Sequence, residues 1–222
     1  MAGSDERDAT LSARRAERNA RWEERYADND RFWSGKVNAT LASVVQTLTP
    51  GTALDVGCGE GADAVWLAEQ GWRTTGIDVS PSAVARAASA ARDRGLDETR
   101  VRFVAGDADE TLPEQTFDLV TSSFLHSPDE DFPRITILRA ASERVARGGR
   151  MLVISHAAPP PWARELSGHA HDMRSPAEEL ALLALDPHQW HAERVEVVAR
   201  DVVGPDGTPA VLDDGILLLR RK

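Results

Sequence analysis

Between Leu54 and Gly61 the chain reads LDVGCGEG, an apolar run carrying an acid that breaks into three glycines at alternate positions, just ahead of a helix-forming stretch. The run predicts a buried strand. Gly57 and Gly59 permit a sharp turn with bare N–H groups, and the helix that follows points its positive end at whatever occupies the turn. A partner acid stands where such a site needs one. Asp78 closes a second apolar segment, TTGID, 17 residues past Gly61, where a carboxylate can accept from both hydroxyls of a ribose.

From Thr52 onward, strands and helices alternate, which predicts an α/β fold with a doubly wound, largely parallel sheet. Strands are expected at 52–56, 73–78, 101–105, 117–122 and 150–155. Helices are expected over 61–70, from an N-cap at Ser80 with Pro81 at the first helical position to Gly95, and from Pro133 to Arg147, where Gly148 and Gly149 end it. Ser175 and Glu178 have capping-box spacing and start a helix to about Leu185. Strands 194–203 and 214–221 flank Gly204-Pro205-Asp206-Gly207, a turn signal for an antiparallel hairpin. Residues 1–48 form a separate helical segment ahead of a domain over 49–222. The first twenty residues lack an apolar stripe and read as a solvated helix or a frayed end, whereas residues 22–48, with Trp22, Tyr26 and Trp33, suit a lid. The proline-rich segment 158–175 is a second candidate lid.

The 222 residues suffice for one core, and the longest apolar runs are strand-sized, too short to span a bilayer. The charged start has no apolar centre of the kind a signal peptide needs, so a cytoplasmic location is expected. Cys58, the only cysteine, sits inside the glycine loop as a small side chain. The net charge of −10 opposes binding to a phosphate backbone, so nucleic acid is not the expected partner. The sequence sets no oligomeric state.

The glycine spacing alone also satisfies the relaxed pattern of nicotinamide dinucleotide sites. Three features favour another cofactor. Asp55 lies two residues ahead of the first glycine, where it would repel a pyrophosphate and attract an ammonium. Asp107, after the strand VRFVA, can accept from an adenine amino group while the Ala108 N–H meets a ring nitrogen. The strand FDLVTSS brings polar groups to a strand C-terminus, where ligands of open α/β sheets bind.

With these residues in place, the chain resembles the class I S-adenosylmethionine-dependent methyltransferases from about Trp22 to Lys222. The resemblance implies a Rossmann-like sheet of seven strands, mostly parallel with the antiparallel C-terminal hairpin. It implies that Asp55, Gly57, Cys58 and Gly59 hold the methionine part of S-adenosylmethionine, that Asp78 with Val79 and Ser80 holds the ribose and the adenine face, and that Asp107 and Ala108 hold the adenine edge. Trp33 and Ser123 complete that set, and S-adenosylhomocysteine is the product. Within the class the chain is similar to the small-molecule branch that includes the tellurite-resistance and thiopurine methyltransferases, on the aromatic segment WEERYADNDRFWSG; Tyr26 stands where the thiopurine enzymes tend to have tryptophan.

The reaction so implied is an in-line attack on a sulfonium methyl group, in which alignment supplies most of the acceleration. His126, in FLHSP after the fourth strand, is the candidate general base, with lining the pocket as its bland alternative. His156 ends the fifth strand and reads as a strand-end polar group satisfied by solvent, with facing the acceptor pocket as its alternative, Trp66 as core, and Asp63 as a solvent contact or cap without a role. His169, His171 and Asp172 cluster without a second ligand pair, so no metal is expected. Three other readings stay open: a nicotinamide-dependent oxidoreductase, although no Tyr-x-x-x-Lys pair is present; a nucleic-acid methyltransferase, although SSFLHS lacks the paired prolines of the amino-modifying members; and a non-catalytic cofactor-binding protein.

Overall fold

A computed structural model describes residues 2–28, 32–127, 129, 131–163 and 173–222. Helix α1 spans Ala2–Ala27 and α2 Ala39–Val45; then come β1 Thr52–Val56, α3 Ala62–Glu69, β2 Arg73–Asp78, α4 Pro81–Asp93, β3 Val101–Ala105, β4 Phe117–Ser123, α5 Arg134–Glu143, β5 Val145–His156, α6 Pro176–Leu183, β6 Trp190–Val203 and β7 Pro209–Arg221. The seven strands form one sheet in the order β3-β2-β1-β4-β5-β7-β6. The first five run parallel, and β7 is antiparallel to both β5 and β6. The chain winds outward from β1 to β3 and returns to β4 on the other side of β1. This reversal leaves a crevice at the carboxyl ends of β1 and β4.

Alternation along the central strands builds two cores. Leu54, Val56, Met151, Val153, Leu217 and Leu219 face α5 and α6 with Ile137, Leu138 and Leu183. Ala53, Leu152, Ile154, Ile216 and Leu218 face the opposite way, toward Leu41, Val44 and Leu67 of α2 and α3. Burial on both faces is why these strands read as continuous apolar runs. The Ser80 hydroxyl accepts from Ala83 N at 3.1 Å as the N-cap of α4, and Ser175 with Glu178 forms the complete capping box of α6.

Two elements differ from expectation. Helix α5 stops at Glu143, and Gly148-Gly149 lies inside β5 rather than ending a helix. The pairing with β4 jumps from Phe117↔Val145 to Leu119↔Arg150 there. A Cβ on Gly149 would stand 2.9 Å from the carbonyl oxygen of Asp118, so the pair forms a bulge that only glycine fits. The amino-terminal segment is a helix, one of its two expected forms, with residues 9–14, 16 and 17 exposed; what differs is that from Arg14 onward α1 is tied to the domain beside the crevice, for reasons given below. Among the described residues no helix is long and apolar enough to cross a membrane.

Gly61 combines a left-handed backbone with a close approach by two packed side chains. It caps α3 at φ +80°, and a Cβ there would lie 2.6 Å from Ala87 Cβ and 3.0 Å from the Phe103 ring. Gly61→Ala combines a left-handed penalty with overpacking, so a loss of about 2–4 kcal/mol is expected in urea unfolding. A loss under about 1 kcal/mol would show that α4 is free to shift away.

Candidate functional site

The crevice is a cleft of about 980 Å³ at the carboxyl ends of β1, β2 and β4. It collects Trp33, Asp55, Gly57, Cys58, Gly59, Asp78, Val79, Asp107, Ala108, Ser123 and His126 along its wall. Ser80 is the member of the expected set that it does not include. That residue is fully buried, with its hydroxyl bound to the α4 cap and to Glu23.

The glycine loop is braced rather than bare. Gly57 N and Cys58 N both donate to Ile77 O, at 2.9 and 3.0 Å, Gly61 N donates to Cys58 O, and Gly59 N donates to Asp78 Oδ2 at 2.8 Å. The bare N–H groups expected from sequence are therefore committed within the protein. An anion-cradling loop needs those donors free. What the loop presents to the cleft is acidic side chains and glycine surfaces.

Three carboxylates stand at the ends of neighbouring strands. Asp55 is 2% exposed; Thr121 donates to its Oδ1 at 3.0 Å, and its Oδ2 is buried without a partner. Burial pushes its carboxyl up to about 8, reinforced by the charges of Asp63 and Asp78. Asp78 also accepts from Ser80 N at 3.0 Å, and burial outweighs these hydrogen bonds in raising its carboxyl. Asp107 receives Asn19 Nδ2 at 2.9 Å and lies 3.5 Å from the Arg18 guanidinium. Burial likewise pushes the Cys58 thiol up, which keeps it a neutral wall group.

Sequence reasoning missed the latches that hold α1 and its following segment over the cleft. Glu23 accepts from the hydroxyls of Ser80 and Ser82, each at 2.5 Å. Arg15 pairs with Glu110 and Arg21 with Asp129. No apolar stripe signals this docking, because the helix is held by charges that find partners only in three dimensions. Glu60, inside the glycine motif, accepts from Phe32 N at 3.1 Å, Trp33 N at 2.9 Å and Arg86 at 2.9 Å. Trp33 Nε1 donates to Tyr26 Oη at 2.9 Å, and a Cβ on Gly59 would meet that same oxygen at 2.9 Å. The rings of Trp22, Tyr26, Phe32 and Trp33 follow one another at 6.1, 5.6 and 4.7 Å, so the aromatic segment both packs and covers the cleft.

Beyond β4 the same cleft extends along Phe124, His126, His156 and Arg200, which line its far chamber. Phe124 adopts φ +53°, rare for an aromatic residue, and its ring stacks on His156 at 4.3 Å; His156 in turn lies 5.7 Å from His126. Burial, with Arg134 and His156 nearby, lowers the His126 imidazole to about 3. His156, read from sequence as either a solvated strand end or a pocket residue, lines the chamber, and burial lowers it too. Arg200 reaches the chamber while gripping the fully buried Asp214 at 2.5 and 3.2 Å. Asp63, given no role from sequence, lines the cleft and accepts from Asn38 N at 2.7 Å. His169, His171 and Asp172 lie outside the described residues.

Residues 53–149 match the family described as "Methyltransferase domain". Over this stretch the chain is similar to a methyltransferase domain. It is 32% identical over 176 residues to 27-O-demethylrifamycin SV methyltransferase of Amycolatopsis mediterranei, across 72% of this chain and 62% of that protein. It is 29% identical over 133 residues to ribosomal RNA small subunit methyltransferase C of Alcanivorax borkumensis, across 56% of this chain and 40% of that protein. The N-methyltransferase NodS of Bradyrhizobium japonicum, solved with S-adenosyl-L-homocysteine, shares the fold at a TM-score of 0.64 and 21% identity, covering 92% of this chain and 98% of its own. The chain spans 29% to 62% of the length of the curated relatives it matches.

Two measurements test this arrangement of the cleft. Glu60→Ala removes the acceptor of two lid amides and an Arg86 partner, so hydrogen exchange across residues 32–36 should quicken by about tenfold or more while the sheet core is unchanged; unchanged exchange would detach the lid from Glu60. Asp55 holds a proton in the folded state between its unfolded value near 4 and about 8, so its contribution to stability is lost as pH rises through that window. Asp55→Asn, which keeps an acceptor for Thr121, should flatten the fall in unfolding free energy between pH 5 and 8. Parallel pH profiles for the two proteins would place the proton elsewhere.

Proposed function

We propose that the protein transfers a methyl group from S-adenosylmethionine to a small molecule and releases S-adenosylhomocysteine. The observation that carries this reading is the row Asp55, Asp78 and Asp107 at three neighbouring strand ends, set around a glycine loop whose amides are already occupied. A dinucleotide needs those amides for its pyrophosphate, so the same facts weigh against the oxidoreductase reading. Asp55 faces the amino end of the cofactor, Asp78 with Val79 the ribose, and Asp107 with Ala108 the adenine. In this reading residues 1–48 are the lid over the domain, with Trp33 and Tyr26 above the cofactor and Arg18 and Asn19 closing the adenine end.

The acceptor occupies the chamber of Phe124, His126 and His156. Its flat, largely neutral wall suits a small, partly planar molecule. The net charge of −10 argues against a nucleic acid, and the relative named for rifamycin SV supports a small acceptor. The acidic composition and the single cysteine support a cytoplasmic site of action. The protein's contribution to rate is alignment, holding nucleophile, methyl carbon and sulfur in line, which is worth on the order of 7–11 kcal/mol. His126 is the candidate base. Its lowered proton affinity keeps it unprotonated across neutral pH, yet makes it a weak acceptor, best matched to a nucleophile that sheds its proton readily.

Calorimetry should show S-adenosylhomocysteine binding and no heat with NAD; the reverse result ends the methyltransferase reading. In an acceptor screen by mass spectrometry, His126→Gln should lower methyl transfer by about 100-fold with cofactor affinity intact. Activity within about threefold of the parent would remove His126 from the chemistry.

A further inference from the structure

The acid in the glycine motif has a second carboxylate beside it that no part of the motif announces. Asp63 sits on the first turn of α3 and lines the cleft with Asp55. Neither has an ion-pair partner among the described residues, although Arg18 and Arg200, on the same cleft, are paired with Asp107 and Asp214. Asp55 is the more enclosed of the two, and its Oδ2 is the buried oxygen left without a hydrogen bond. A buried carboxylate with an open lone pair and no cation is costly, and the cost disappears when a cation arrives.

The groups that face the pair are few. On Asp55 act Asp63 from α3, Asp78 from β2, the Thr121 hydroxyl from β4 and the neighbouring Cys58. On Asp63 act the Asn38 N–H from the start of α2, the hydroxyl of Ser123 and Cys58. The charges in this set are negative; the cations Arg25, Lys36 and Arg174 line other parts of the same cleft. Burial raises both carboxyls, Asp55 the further.

The geometry points to Asp55 and Asp63 as a paired-carboxylate seat for the cofactor's α-ammonium, holding one proton between them while empty and releasing it to solvent as the ammonium enters. This rests on the cofactor assignment proposed above and adds Asp63 as a specificity-determining residue for the amino end. Because Asp63 also accepts from Asn38 N, at the N-cap of α2, the same residue ties the occupied seat to the end of the lid segment.

Isothermal titration of the full chain in two buffers of different ionisation enthalpy reads the proton directly. Near pH 7, where the ligand's ammonium is still charged, S-adenosylhomocysteine should release close to one proton per molecule bound, and its affinity should rise close to tenfold from pH 6 to pH 7. The deaminated analogue, with hydrogen in place of the α-ammonium, should release none and bind with flat pH dependence. Asp63→Asn keeps an acceptor for the Asn38 N–H; it should weaken S-adenosylhomocysteine by about tenfold and the deaminated analogue by less than about twofold. Binding of S-adenosylhomocysteine without proton release, or equal losses for both ligands in Asp63→Asn, overturns the paired seat and leaves the cofactor assignment standing. Absence of binding by both ligands overturns the cofactor assignment and the seat with it.

Discussion

Two amide groups, Gly57 N and Cys58 N, converge on the carbonyl of Ile77, and Gly59 N closes on the carboxylate of Asp78. These bonds weld the loop after β1 to the end of β2, and the rest of the site is hung from them. The start of α3 stands at the cleft, Asp55 and Asp63 share its wall, and Glu60 binds the amides of Phe32 and Trp33. A backbone donor satisfied in this way costs nothing further when the cleft fills. The loop can therefore be rigid before any ligand arrives, which is the condition for spending binding energy on alignment rather than on ordering the protein.

The charge arrangement divides the cleft into two functional halves. On the side of Asp55, Asp78 and Asp107, acids lie at strand ends and α1 supplies Arg18 and Asn19 to one of them, so that covering the cleft and neutralising part of it are one act. Arg18 and Asn19 reach Asp107, while Glu23 reaches the first turn of α4. On the far side, two arginines are matched to buried acids, while His126 Nε2 is buried without a hydrogen-bond partner. Arg200 is bound to Asp214, and Arg134 to Glu179, both acids fully or almost fully buried. Burial, with the positive charges of Arg134 and Arg200 nearby, keeps the histidines beside them neutral. A chamber whose walls are neutral and partly aromatic, next to a pocket that is strongly acidic, is the asymmetry expected when a cationic donor meets an uncharged or weakly acidic acceptor.

Much of the fold was legible because the central strands are buried on both faces, and a run such as Leu54 to Val56 or Met151 to Ile154 has few other places to go. Strand bounds at Thr52–Val56, Arg73–Asp78 and Val101–Ala105 match those expected, since glycines or polar residues punctuate each. The glycine pair at Gly148 misled for a physical reason: glycine after a helical stretch signals a C-cap, and only pairing with β4 reveals that the chain there is already a strand with a bulge. Helix α1 misled for another. Its docking rests on Arg, Asn and Glu side chains whose partners lie far away in sequence, and no periodicity records a contact of that kind.

By itself the sequence determined the alternating strand–helix order, the glycine turn, and the acids at the ends of the first three strands, because each of these is dictated by local chemistry: apolar runs seek burial, glycine alone tolerates the turn, and a carboxylate at a strand end faces the crevice. Tertiary structure alone decided which amides remain available, that Asp63 stands beside Asp55, and that Glu60 and Glu23 hold the lid. Those are facts of pairing between distant segments, and a buried donor or acceptor finds its partner through the packed fold rather than along the chain.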